Sequence, residues 1–312
     1  MAVGNIFGYP LQSDVFFYRE TSYAGGIPAG TSGVTMWVSD VVQNARVDVA
    51  ETVKAMRGIS EPSITGWTST TSDYTLHLEF PAQYIANTSL PSFCINRVSS
   101  VSFGCNIAPL CFVLVANECA GKTVAALKSY YLLKGVVCKN INLKGSTNDN
   151  YLWSADFSVA SMTITNTAPS RFALPTVLTA ANTYAMFNKP GAIVRQNSTA
   201  TIAYIVDGID VTINNHITDI WNNASQYKQN AIAGAMDVTG TAQITLDKGG
   251  QNQYAKLYTA LTNVLIDMNN TSYDVLTLSD AKWDGYTAEM NTGDTPMMTP
   301  AKFIAKKAAL AT

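Results

Sequence analysis

The chain has 312 residues, of which 47% are hydrophobic and only 13% are charged, against roughly 25% charged residues in an ordinary soluble domain. The formal net charge of −2 offers no basic field to a phosphate backbone, which argues against tight nucleic-acid binding. The length suffices for one large or two modest cores. The sparse charge has two interpretations: much of the surface is buried against other copies, or the chain is a Thr/Asn-rich extracellular module.

The N-terminal residues MAVGNIFGYPLQSDVFF lack the basic segment and uninterrupted apolar segment of a secretory signal, which predicts folding in the cytoplasm. The apolar run at 107–120 contains Asn117 and Glu118 and is too short to cross a bilayer core of ~30 Å. It predicts a buried strand or loop. The five cysteines include no C-x-x-C pair, which favours free buried thiols over a disulfide framework or a zinc site.

The first half of the chain predicts strands around one helix. An apolar start at 15–18 leads into a Gly/Pro-rich arm or loop, and a long strand region follows at 34–53. Within 64–80, one strand face carries Tyr74, Leu76, Leu78 and Phe80, and the other carries Asp73, Thr75, His77 and Glu79. Residues 121–135 (GKTVAALKSYYLLKG) have the composition of a helix with a Gly stop, and two further strands follow them.

The second half repeats this order. Residues 206–217 (VDGIDVTINNHI) fit the template of residues 42–53 (VQNARVDVAETV), with apolar Ile209, Val211 and Ile213 opposite Asp210, Thr212 and Asn214. A second strand at 236–248 places Val238, Ala242, Ile244 and Leu246 opposite Asp237, Thr239, Thr241, Gln243, Thr245 and Asp247. A helix is predicted at 251–263, and further strands follow it.

This repetition predicts a duplication. The first β-domain, with an N-terminal arm, spans residues 1–165, a linker spans 166–191, and the second β-domain spans 192–312. An insertion at about 82–120 distinguishes the first copy from the second.

The order of several segments resembles a known family. The segment from Gly135 (GVVCKNINL) is followed by NDNYLWSADFSVAS, by the linker, and then by IVDGIDVTINNHI and GAMDVTGTAQITLD. Together they resemble the major tail tube proteins of long-tailed bacteriophages and related archaeal viruses. The early YRETSYAGGIPA is similar to the ETTYG segment near the start of that family.

The resemblance implies a mainly β fold of two tandem β-sandwich or split-barrel domains. Each has one flanking helix and a long β-hairpin that contributes to an oligomeric central barrel. It implies rings of three two-domain subunits, with six-subunit rings as the alternative, stacked into a hollow tube. Its implied partners are other copies of the chain, the tape measure protein, the tail terminator and tip proteins, and DNA in transient passage. The implied location is the virion tail, assembled in the host cytoplasm.

Long two-stranded ribbons support assembly on physical grounds, because a ribbon alone cannot bury its apolar face or protect its edges. Closing several ribbons into a barrel removes the edges. The polar ribbon faces then become candidates for the wall of a channel, polar and neutral or negative so that DNA is not held: Asp73, Thr75, Glu79, Asp210, Thr212, Asp237, Thr239, Thr241, Thr245 and Asp247.

No constellation predicts an enzyme. His77 lies between two leucines of a strand and His216 at a strand end, which favours solvent-facing roles over catalysis. The segment DKGGQNQ lacks a phosphate-binding pattern, and Asp207 with Asp210 fits turn and strand-face roles better than a cation site. We therefore predict no catalytic residue, cofactor or metal. The alternative from another class is an extracellular adhesin-like or carbohydrate-binding β-sandwich, which shares the Thr/Asn richness.

Overall fold

Runs of alternating apolar and polar residues dominate the sequence, and they favour strands whose two faces meet different surroundings. The computed structural model is mainly β, with 17 strands and one short helix among the residues it describes. Those residues are 13–28, 37–38, 42–57, 64–82, 90–97, 107–117, 128–172, 193–196, 206–245, 262–267, 275–286 and 298–310.

The elements of the first half are β1 (Ser13–Arg19), β2 (Trp37–Val38), β3 (Asn44–Arg57), β4 (Ile64–Pro81), α1 (Leu90–Ile95), β5 (Leu110–Asn117), β6 (Lys128–Ser146), β7 (Leu152–Val159) and β8 (Ser161–Thr165). Those of the second half are β9 (Ile193–Gln196), β10 (Val206–Asn214), β11 (Ile217–Ile220), β12 (Asn230–Ala233), β13 (Asp237–Thr245), β14 (Thr262–Asp267), β15 (Val275–Tyr286), β16 (Met298–Ala305) and β17 (Lys307–Leu310).

Antiparallel pairing links these strands into three connected sheets and a small hairpin. The long sheet has the order β3-β4-β7-β6-β10-β13-β16-β15. The first outer sheet has the order β2-β1-β5-β6-β8, and the second outer sheet has the order β9-β14-β15-β17. Because β6 and β15 each run through two sheets, they fix the position of an outer sheet relative to the long sheet. Strands β11 and β12 pair only with each other within the described residues.

The core lies between the outer sheets and one face of the long sheet. Phe17 and Phe112 of the first outer sheet belong to the same buried cluster as Leu76 and Phe157 of the long sheet. The rings of Phe112 and Phe157 lie 5.5 Å apart. The predicted apolar faces of β4 and β10 are confirmed, since Leu78 and Val211 are fully buried. The buried strand predicted within 107–120 is also confirmed, as β5.

The helix predicted at 121–135 is wrong where the structure describes it, because residues 128–135 belong to strand β6. This part of β6 is flanked by β5 on one side and β8 on the other. Both of its faces also meet protein, since Tyr131 and Leu133 pack in one hydrophobic cluster and Tyr130 and Leu132 pack in another. Its side chains therefore form a nearly continuous apolar run, which periodicity cannot distinguish from a buried helix. The helix predicted at 251–263 lies outside the described residues except for its last two residues, which belong to β14.

The strands pair in the same order in both halves. In the long sheet, β3-β4-β7-β6 of the first half is followed by β10-β13-β16-β15 of the second half. Leu76 of β4 lies between Val47 and Phe157 on the neighbouring strands. At the equivalent position, Gly240 of β13 lies between Val211 and Phe303. In the outer sheets β1, β5, β6 and β8 correspond to β9, β14, β15 and β17. Strand β5 therefore has a counterpart in β14, and the predicted insertion is narrower than 82–120.

Local irregularities recur at corresponding positions. Each long strand gains one extra residue against its neighbour, Lys139 in β6 and Asp284 in β15. Before these bulges, Gly135 and Asp280 both adopt left-handed backbone conformations, with φ of 60° and 52°. A bulge bends a strand, and the bend lets β6 and β15 leave an outer sheet and enter the long sheet.

Helix α1 connects distant parts of the chain. The Asn96 side chain donates to the Leu310 carbonyl and accepts from the Leu310 N–H, both at 3.0 Å, so it imitates a strand pairing at the end of β17. Cys94, Cys111 and Cys138 are buried free thiols; Cys105 and Cys119 lie outside the described residues. The described helix is far too short to span a membrane.

Candidate functional site

The polar face of the long sheet is the largest candidate site. It is the side opposite the core, and neighbouring side chains on it are matched across strands by the pairing register: Glu79 faces Ser154, Ser154 faces Asn142, Asn142 faces Thr212, and Thr212 faces Thr239. We define it by Arg46, Asp48, Asp73, Thr75, His77, Glu79, Asn140, Asn142, Lys144, Ser154, Asp156, Asp210, Thr212, Asn214, Asp237, Thr239, Thr241, Lys302 and Ile304.

Eight of the ten residues predicted from the sequence as channel wall lie on this face. They are Asp73, Thr75, Glu79, Asp210, Thr212, Asp237, Thr239 and Thr241. Thr245 ends strand β13, but its side chain is outside the described set, as is the whole of Asp247. The structure therefore brings the eight onto one surface, and their role as a channel wall stays a prediction.

Acidic and basic side chains are interleaved on this face. His77 Nδ1 lies 2.5 Å from Asp156 Oδ1, and its Nε2 lies 3.4 Å from Glu79 Oε1. Arg46 Nη2 pairs with Asp48 Oδ2 at 2.9 Å along strand β3. The three cations among the residues that define the face, Arg46, Lys144 and Lys302, lie on separate strands among carboxylates, so the described part of the face has no continuous basic strip of the kind that holds a phosphate backbone.

The two halves meet on this face at the β6–β10 pairing, which we call the seam. Asn142 Nδ2 of β6 donates to Asp210 Oδ1 at 2.5 Å and to Thr212 Oγ1 at 3.0 Å. Lys144 stands opposite Asp210 in the register. Beyond the strand end, the buried Asn215 side chain donates to the carbonyls of Cys94 and Cys138. Polar side chains therefore fix the alignment of the two halves.

An open hollow of about 390 Å³ lies on the second-half part of the face, lined by Asp210, Thr212, Thr239, Thr241, Asp284 and Lys302, with Gly240, Phe303 and Ile304. Gly240 is required here, because a Cβ at this position would lie 2.1 Å from the Phe303 ring. The mixture of hydroxyls and opposite charges suits contact with water or another polar surface.

A buried lysine was missed by sequence reasoning. The loop between β11 and β12 inserts Lys228 beside β4 and β7, where its Nζ pairs with Asp73, lies 3.1 Å from Asp219 Oδ2 and donates to Ser158 Oγ at 2.8 Å. The lysine side chain is fully buried. This cluster ties a second-half loop to the first half, so Asp73 is a contact residue as well as a member of the polar face. The irregular segment around Lys228 carries no periodic signal that could have revealed it.

Glu20, within the YRETSYAGG segment, has a structural role that the sequence did not reveal. Its buried carboxyl accepts hydrogen bonds from the backbone N–H groups of Ala24, Gly26 and Gly135 at 2.8 to 3.2 Å. Burial raises the carboxyl pKa to about 7, against the lowering effect of these hydrogen bonds. Glu20 thereby links the turn after β1 to Gly135 of β6, which has a left-handed backbone conformation.

Within the described residues, no three His, Cys, Asp or Glu side chains converge on a possible metal site. The geometry of the polar face instead suits an extended surface that presents polar groups without holding a single ligand. No family model matches the chain, and no curated protein matches its sequence.

Proposed function

We propose that this chain is a structural virion protein, the major tail tube subunit of a long-tailed bacteriophage or archaeal tailed virus. Rings of the chain stack into a hollow tube through which viral DNA passes during ejection. The observation that best supports this proposal is the long sheet, which has one face on the core and one polar face. Within the described residues, its outer strands, β3 and the end of β15, each pair on one side only.

Strand arithmetic favours three copies per ring. Three long sheets supply about 24 strands; at roughly 4.8 Å spacing and a tilt of about 40°, a closed barrel has a backbone diameter of roughly 45–50 Å. Side chains of about 5 Å on each wall leave roughly 35–40 Å, which accommodates a DNA duplex. Two copies give a backbone diameter of only about 30 Å by the same calculation, and little room for a hydrated duplex. The repeated pairing order gives a three-copy ring pseudo-sixfold symmetry.

The polar face fits the wall of such a channel. Its interleaved charges and hydroxyls give passing phosphates no strip of cations on which to release counterions. In this proposal the halves are tandem domains of residues 1–165 and 192–312. The chain acts in the virion tail, where the tape measure, terminator and tip proteins are its partners, and it performs no catalysis.

Assembly tests the proposal. Light scattering after size exclusion, followed by electron microscopy across a range of salt and protein concentrations, should show three-copy rings or stacked tubes. A protein that stays monomeric at high concentration, even with the other tail components, contradicts the proposal. A monomer retained on immobilised glycans would favour the adhesin-like alternative instead.

A further inference from the structure

The seam shows how strands from the two halves pair within one chain. At the seam, β6 pairs antiparallel with β10, so that Asn140 faces Asn214 and Ile141 faces Ile213. Up to Val136, β6 pairs with β5 of the first outer sheet; from Val137 it pairs with β7, and from Asn140 it also pairs with β10 on the other side. Strand β10 in turn has β6 on one side and β13 on the other.

Strand β15 is the counterpart of β6 and has an open side where β6 has its seam. The extra residue Asp284 corresponds to Lys139, which makes Gly285 and Tyr286 the counterparts of Asn140 and Ile141. Both counterparts pair with β16. Among the described residues, no strand pairs with the other side of Gly285 and Tyr286, since β14 stops at Ala281.

Strand β3 is the counterpart of β10 and is open on the matching side. Val47 pairs with Leu76, and Val211 pairs with Gly240 at the equivalent position of the second half. Two and three residues further along each strand, Val49 and Ala50 are therefore the counterparts of Ile213 and Asn214. In the described part of the chain, β3 pairs only with β4. The open edge of β15 therefore corresponds to β6 of the seam, and the open edge of β3 corresponds to β10. Unpaired edges of this kind favour the addition of another strand.

We propose that β15 of one copy pairs antiparallel with β3 of a second copy in the register of the seam, so that Gly285 faces Ala50 and Tyr286 faces Val49. This inference rests on the proposed function and specifies the contact that closes its ring. The two edges of one chain are complementary and different, so the contact is head-to-tail and closes by rotation.

Exposed apolar side chains near both edges support the same contact. Val53 on β3 is 49% exposed and Ile304 on β16, beside β15, is 48% exposed. The counterpart of Ile304 is Ser158, which is covered within the chain by Lys228 of the loop that follows the seam. In the proposed contact, the β3–β4 hairpin of a second copy takes the place that the segment after β10 takes within the chain, and it therefore covers Ile304. Burial of such apolar side chains favours association.

Cysteine cross-linking tests the register. Ala50→Cys and Gly285→Cys, combined in one chain, should give covalent oligomers under mild oxidation that end at the size of the closed ring. The yield should exceed that of either single-cysteine variant by at least about tenfold, since strand pairing holds the two thiols at a millimolar effective concentration and within disulfide reach. The single variants also report any contribution from native thiols.

Two matched variants calibrate the result. Asn140→Cys with Asn214→Cys spans the seam itself and should give a disulfide within one chain and no covalent oligomer. Arg46→Cys with Gly285→Cys is displaced by four residues and should give no more cross-linking than single variants. Hydrogen exchange of the unmodified protein provides an independent readout, because assembly should protect amides around Val49 and Ala50 of β3 and around Gly285 and Tyr286 of β15.

The outcomes separate the inference from the proposed function. Rings that form without the Ala50–Gly285 cross-link and without new amide protection overturn the register and leave the tube proposal intact. Efficient dimerisation of the Ala50→Cys variant alone indicates β3–β3 pairing and also overturns it. A monomer under every condition contradicts both proposals.

Discussion

At the scale of single residues, Glu20 makes stability depend on pH. Its carboxyl pKa is raised by burial to about 7, so between its unfolded value of ~4.3 and 7 the folded state binds more protons than the unfolded state. Stability from this group is fully present below pH 4 and falls as pH rises to 7. The shift corresponds to a loss on the order of 3 kcal/mol.

We expect Glu20→Gln to remove this dependence. Urea unfolding of the unassembled protein at pH 5 and pH 8 should show a smaller loss of unfolding free energy in the variant than in the unmodified chain. Glu51→Gln, a substitution at an exposed strand position, is the control and should leave the dependence unchanged. Equal pH slopes for Glu20→Gln and the unmodified protein would show that Glu20 does not govern it.

Lys228 shows which residues of the site the sequence could not reveal. The eight polar-face residues follow from alternation, because the two faces of a strand meet different environments. The partners of Lys228 come from three separate segments, at Asp73, Ser158 and Asp219. No local pattern records that a loop folds back over a strand, so this cluster required the tertiary structure.

At the scale of elements, strand β6 depends on a glycine. Gly135 has φ of 60°, and a Cβ there would lie 2.7 Å from Ala160 Cβ and 3.1 Å from the Tyr23 ring. Gly135→Ala should lower the unfolding free energy by about 2–5 kcal/mol, combining about 1–2 for the left-handed conformation with about 1–3 for overpacking. The midpoint of urea unfolding measures the effect.

Asp280 offers a matched control for that substitution. It has the same left-handed conformation, with φ of 52°, at the corresponding position of β15, and its side chain is half exposed. Asp280→Ala introduces no comparable overpacking and should cost no more than about 1 kcal/mol. Equal destabilisation by the two alanines would contradict the role assigned to close packing around Gly135.

Strand β6 also marks where sequence reasoning about the fold stopped. Strands β4 and β10 were predictable because one of their faces is polar, whereas the side chains of Tyr130 to Leu133 pack in hydrophobic clusters on both faces of β6, which gives the sequence the apolar pattern of a helix. The similarity of β3 and β10 was visible as a pattern. The seam between β6 and β10 was not, because pairing between distant strands leaves no trace in local periodicity.

At the scale of the whole molecule, the charge of the polar face should govern DNA passage. Asp237 and Thr239 are both exposed on it, and replacing both with Lys adds cations around the channel of the proposed tube. Tubes should still assemble, while DNA ejection should slow on the order of tenfold at low salt and recover as salt rises, because phosphate binding is salt-dependent.

Asp149→Lys makes the same type of charge change in an exposed turn and should leave ejection unaffected. Ejection kinetics of particles carrying each variant, with tube integrity checked by electron microscopy, measure the difference. Unchanged ejection through a channel shown to be basic would refute the role of the polar face.

The bond between Asn96 and Leu310 also sets a minimum waiting time for newly made chains. The two residues are separated by 214 positions, which takes roughly 10–40 s to translate at about 5–20 residues per second. Until β17 leaves the ribosome, α1 lacks this partner and the second outer sheet lacks a strand. Pairings over such separations also fold slowly. In a newly made subunit, the open edge of β3 is therefore synthesised well before the fold is complete. This delay limits how early productive ring formation can begin.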